Sequence, residues 1–165
     1  MSVSTNLNQL YSAKLVGLDY YFSEMINLYE AQKLPKVLLL NGKKGIGKFT
    51  LIMHFINYIY SKKETTAYNL KNKTINVNSL FYNSFLNRTT PDVIFIKAEE
   101  NKNIKIEDIR SLKSTLSTTS LSNNPRFTII DEVEFLNTNS VSALLKTLEE
   151  PSNNNFFILI NNQQS

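Results

Sequence analysis

Residues 42–50 read Gly-Lys-Lys-Gly-Ile-Gly-Lys-Phe-Thr, which fits Gly-x-x-x-x-Gly-Lys, the spacing of a loop that cradles phosphate groups. Three of the chain's four glycines fall in this stretch, at Gly42, Gly45 and Gly47. Glycines so placed let the backbone curl until consecutive N–H groups, that of Ile46 among them, face a single anion. Lys48 adds an ammonium for the terminal phosphates, and a helix beginning near it adds the positive end of its dipole. The chemistry expected is weak binding of the phosphates of ATP or ADP.

The next position breaks the pattern. Ser or Thr normally follows the lysine, because its hydroxyl ligates Mg²⁺. Here it is Phe49, and a phenyl ring coordinates nothing. Thr50 lies one residue on, a turn of about 100° around a helix, so it does not replace the missing ligand. Nucleotide binding survives this change; efficient Mg²⁺-dependent hydrolysis does not follow.

A second group of chemically able residues ends the apolar run Phe127-Thr128-Ile129-Ile130 with Asp131 and Glu132. Beside a phosphate loop, an Asp at such a strand end holds the Mg²⁺ shell and a following Glu can activate water. A strand-end Asp also commonly caps the segment that follows it. With both acids present, Phe49→Thr is expected to restore a metal shell built on Asp131. Asn161 and Asn162 end the last apolar run, where Asn161 reads either as a polar sensor of the γ-phosphate or as an ordinary loop residue. His54 reads as a packed or surface histidine. Glu149 and Glu150 precede Pro151 and read as an interaction surface or a solvated helix end.

Composition removes whole classes. The chain has no cysteine and one histidine, which excludes a disulfide framework, a Cys-ligated zinc site, an iron–sulfur cluster, a thiol nucleophile and a multi-His metal site. No apolar run approaches the ~20 residues that span a bilayer, and residues 1–10 lack the basic-then-apolar order of a signal peptide. A soluble cytoplasmic protein without a membrane partner is expected. Residues 1–75 hold ten Lys/Arg against four Asp/Glu, and residues 76–165 hold eight against ten. The basic first half suits phosphate or nucleic acid, and equally a solvated surface.

These residues need elements to position them. Four short apolar runs, at 37–40, 93–96, 127–130 and 156–160, lack alternation, as parallel strands buried on both faces do. Helical spacing occupies 20–29, 49–60, 106–116 and 141–148, the last stopped by Pro151. Strands alternating with helices predict a three-layer α/β domain with a parallel sheet and right-handed crossovers. At 165 residues and 42% hydrophobic the chain suits one domain over 1–165, with an irregular or hairpin excursion at about 61–91.

Residues 126–151 resemble the bacterial DNA polymerase III clamp-loader subunits, and the run Ser-Ala-Leu-Leu-Lys-Thr-Leu-Glu-Glu-Pro at 142–151 is close to their near-signature Asn-Ala-Leu-Leu-Lys-x-Leu-Glu-Glu-Pro. Leu15-Val16-Gly17 with Lys33-Leu34-Pro35, and Ile104-Lys105-Ile106-Glu107-Asp108-Ile109-Arg110, resemble the same family in order and spacing. The likeness runs from about residue 15 to 162. It implies a P-loop NTPase core of the AAA+ type with strand order 1-4-3-2. It also implies a hetero-oligomer with other clamp-loader subunits, acting with the sliding clamp and, indirectly, primed DNA. Within the family the ATPase subunits keep an intact loop and the delta-prime type often carries a degraded one. Phe49 points to delta-prime, and Glu132 to an ATPase. A small nucleotide kinase is a further alternative, for which only Arg88, Arg110 and Arg126 could supply a lid.

Two departures qualify the resemblance. Family members commonly carry a four-cysteine zinc module where residues 61–91 stand; without cysteine, no zinc is expected. The family also continues past the fourth strand into a Ser-Arg-Cys motif, a lid and a collar domain, so the chain is expected to be an N-terminal portion lacking lid and collar.

Overall fold

The computed structural model describes residues 12–98, 103–117, 124–149, 151 and 154–163. In chain order the elements are α1 (Asp19–Glu30), β1 (Val37–Asn41), α2 (Lys48–Ser61), α3 (Leu80–Leu86), β2 (Val93–Lys97), α4 (Ile106–Ser117), β3 (Arg126–Asp131), α5 (Thr138–Glu149) and β4 (Asn155–Asn161). They fall into two compact, interleaved units. One comprises Met1–Leu34 with Gly47–Thr90, the other Pro35–Ile46 with Pro91–Ser165.

The second unit is built on a four-stranded, wholly parallel sheet in the order β1-β4-β3-β2. This is the expected order, and all four apolar runs are strands. β3 lies between β4 and β2, and it is buried along its whole length. Complete burial does not extend to β1, an edge strand whose Leu39 is 59% exposed. An edge has a neighbour on one side only, so an apolar sequence there is not sufficient for burial.

Thr128, Ile130, Phe157 and Leu159 share one face of β3 and β4. On that face Ile130 and Phe157 form a buried cluster with Ile104, with Ile109 and Leu112 of α4, and with Leu144 of α5. Each such side chain contributes roughly 1.5–3 kcal/mol on leaving water, which makes this packing the main reason α4 and α5 hold against the strands. Arg126 pins the start of β3 to the last turn of α4, its guanidinium donating to the Thr115 carbonyl at 3.0 Å. α5 begins three residues before its apolar stripe, because the Asn137 side chain accepts the Ser140 N–H at 2.8 Å and caps the helix. Glu149 ends α5, and Glu150 lies outside the described residues.

In the first unit α1 packs on α2, and α2 on α3. α1 buries Phe22, Met25 and Ile26, and α2 buries Leu51, Ile52, Phe55 and Ile56. The polar stretch 61–91 contains an element that apolar spacing does not reveal, the seven-residue α3. Its first three N–H groups are all satisfied from outside the helix. Glu64 Oε2 and Oε1 accept from Leu80 and Phe81 at 2.7 and 2.9 Å, and Ser79 Oγ accepts from Tyr82 at 3.0 Å. Phe81 then stacks on Tyr60, with ring centroids 4.6 Å apart.

Candidate functional site

The strands of the sheet end in polar residues at one edge. Lys97 closes β2 directly opposite Asp131, which closes β3, and Asn41 closes β1 opposite Asn161, which closes β4. In open parallel sheets the carboxyl edge of the strands is where ligands bind. The chain leaves β1 straight into the glycine-rich loop. The Gly42 N–H donates to the Asn161 carbonyl at 3.3 Å, and the Asn161 side-chain amide donates to Asn41 Oδ1 at 3.0 Å. Asn161 thus stands at the root of the loop.

Gly45 and Gly47 adopt φ of 87° and 92°, a left-handed conformation that glycine reaches without the clash a Cβ would bring. A chain turning through glycines of this hand can present consecutive N–H groups to one anion. Gly47 is the N-cap of α2, with its carbonyl accepting the Leu51 N–H at 2.8 Å. Lys48, Phe49 and Thr50 form the first turn of that helix, and Lys48 is buried. A positive-φ glycine turn leading into a helix N-terminus beside a lysine has the parts that phosphate binding uses.

The acid pair has partners that strand-end reasoning does not supply. Asp131 and Glu132 are both buried, and Glu132 is held at φ 60°, ψ 48°, a left-handed backbone that costs a non-glycine residue about 1–2 kcal/mol. Lys44, from the loop, places Nζ 2.7 Å from Glu132 Oε1. Lys97 places Nζ 3.4 Å from Asp131 Oδ2 and 3.9 Å from Glu132 Oε1. Burial pushes the Asp131 carboxyl above its ordinary range despite the opposing pull of Lys97. The Lys44 ammonium is held above its ordinary range, chiefly by its hydrogen bond to Glu132.

Mg²⁺, which an intact loop of this kind would use, does not fit this donor set. Both carboxylates already face lysines, and among the described residues no three His, Cys, Asp or Glu side chains converge to hold a metal ion. Asp131 and Glu132 thus face Lys97 and Lys44. Lys44 and Lys97 were not foreseen as members of this site. The available signal was positional, a lysine and an aspartate each ending an apolar run.

His54 takes no part in this chemistry. It is fully buried in α2, its Nε2–H donating to the Ser12 carbonyl at 2.8 Å. That bond leaves Nδ1 to accept from the Tyr68 hydroxyl at 2.8 Å in the neutral ring.

The fold and the site define a parallel α/β protein with a glycine-rich loop after its first strand and acids closing its third. Residues 19–165 match the family model described as DNA polymerase III, delta subunit, and the chain belongs to that family. It is 28% identical over 146 residues to DNA polymerase III subunit gamma of Buchnera aphidicola subsp. Schizaphis graminum, covering 88% of this chain and 38% of that relative. It is 27% identical over 139 residues to subunit delta' of the same organism, covering 84% and 40%. A solved gamma-subunit-related protein of DNA polymerase III from Thermotoga maritima is 19% identical, with a TM-score of 0.48 and coverage of 83% of this chain and 38% of that one. The chain thus spans about 40% of the length of these two relatives. Among the described residues no helix is long and apolar enough to cross a membrane.

Proposed function

We propose that this chain is a delta-prime-like subunit of the DNA polymerase III clamp loader, acting in the cytoplasm to support loading of the sliding clamp onto primed DNA. It works within a hetero-oligomer, beside ATPase neighbours, and does not turn over ATP efficiently itself. The observation that carries the reading is Phe49, which stands where the metal-ligating hydroxyl belongs in an otherwise complete loop. Gly45, Ile46, Gly47 and Lys48 hold the phosphates of ATP or ADP weakly through backbone N–H groups and one ammonium, and Gly42, whose N–H is taken by Asn161, opens the loop.

Glu132 supports a second reading, an active gamma- or tau-like ATPase, because it follows Asp131 at the carboxyl edge of the sheet. Its carboxylate is, however, bound by Lys44 and so is not poised to activate water. The kinase alternative is weaker: Arg126 is buried and bonded to Thr115, which leaves a mobile arginine lid without one of its three candidates. Phosphate release measured with the assembled clamp loader, clamp and primed DNA separates the readings. Turnover should be unchanged by Lys48→Ala in this subunit; robust hydrolysis by this chain alone rejects the proposal.

A further inference from the structure

We infer that Lys97 is the resident cation of the Asp131–Glu132 pair, a specificity-determining residue that makes phosphate binding at this loop independent of divalent metal. The inference rests on the phosphate-loop reading above and deepens it. Parallel pairing sets Lys97 opposite Asp131, so the ammonium's origin is fixed by the sheet and not by a flexible loop. The Lys97 side chain is 25% exposed, against 74% for Lys44, and its Nζ lies within 4 Å of an oxygen on each acid. With Lys44 Nζ at Glu132 Oε1 and Lys97 Nζ near Asp131 Oδ2, each carboxylate of the pair faces an ammonium. Mg²⁺ would demand oxygen ligands at about 2.0–2.1 Å in near-octahedral array. It would meet an ammonium already in front of both acids. Losing the hydroxyl ligand and holding a lysine at the acids work in the same direction: each removes something a divalent metal would need.

The test is a titration of the 165-residue chain with Mn²⁺ alone, followed by electron paramagnetic resonance, with circular dichroism checking each variant's fold. Wild type should show no site tighter than millimolar. Lys97→Met should bind Mn²⁺ at least about tenfold more tightly, and adding Asp131→Asn should abolish the gain. Lys97→Arg, which keeps the charge, should remain blind to the metal. Wild type binding Mn²⁺ as tightly as Lys97→Met, or Lys97→Arg behaving like Lys97→Met, overturns the inference. Should Lys97→Met fail to fold, binding of fluorescent ADP to wild type decides: equal affinity in EDTA and in Mg²⁺ supports the inference, and tighter binding in Mg²⁺ overturns it. Failure of ADP to bind at all would reject the phosphate-loop reading, while the Mn²⁺ comparison, which uses no nucleotide, would still judge Lys97.

Discussion

The side-chain amide of Asn161, at the end of β4, donates to Oδ1 of Asn41, at the end of β1, across 3.0 Å. The Gly42 N–H donates to the Asn161 carbonyl, and Asn161 Oδ1 accepts the Gln163 N–H at 3.2 Å. One residue therefore ties the fourth strand to the root of the loop through both backbone and side chain. Asn161→Ala should cost about 0.5–1.5 kcal/mol of stability, the range of a single partly exposed hydrogen bond, as read by urea denaturation. If Asn161 also senses the γ-phosphate, the same variant should lose affinity for ATP more than for ADP.

Phe49→Thr alone should leave nucleotide affinity insensitive to Mg²⁺, since Lys97 and Lys44 still face the acids. Combined with Lys97→Met it should become Mg²⁺-dependent. Fluorescent ADP titrations with and without EDTA compare the two; a full gain from Phe49→Thr by itself would mean that the lysines are no obstacle.

Gly47→Ala should destabilise the chain by about 1–2 kcal/mol from backbone strain alone. Gly47 sits at φ 92°, and an added Cβ would come 3.0 Å from Leu18 Cδ1. Gly45→Ala meets the same strain at φ 87° with nothing within 4 Å. Thermal melts should therefore rank Gly47→Ala as the more damaging of the two.

His54 gives stability a pH dependence. Burial holds its imidazole below the ordinary value, against the smaller opposing effect of the Ser12 carbonyl. The unfolded chain, with an ordinary histidine near pH ~6.5, then binds the proton more readily than the native state. The stabilisation is complete above that value and is lost as pH falls through it toward the lower native value. Urea midpoints should drop between about pH 7.5 and 5, and His54→Gln, which cannot take the proton, should flatten that part of the profile.

Glu64→Ala should loosen α3 by removing the acceptor of both the Leu80 and Phe81 N–H groups. A loss of about 1–2 kcal/mol is expected for a capping carboxylate. Hydrogen exchange should accelerate at Leu80 and Phe81 more than in β3.

The sequence by itself determined the four strands, the long helices and the strand-to-helix place of the glycine loop. Runs such as 127–130 and stripes such as Phe22 and Ile26 carry their periodicity locally, and glycine spacing is a property of the chain. What stayed hidden depends on side chains that meet only after folding. α3 forms in a polar stretch because Glu64, distant in sequence, satisfies its N–H groups. Leu39 lies in a run as apolar as the others, and its exposure follows from β1 standing at the sheet's edge. The acids 131 and 132 were legible as candidates, but their partners were not. Lys44 lies 88 residues from Glu132 in sequence, and Lys97 meets Asp131 only through the β2–β3 register. Local pattern specifies what each segment becomes; the parallel pairing of distant strands decides which charges meet, and so which cation the acid pair holds.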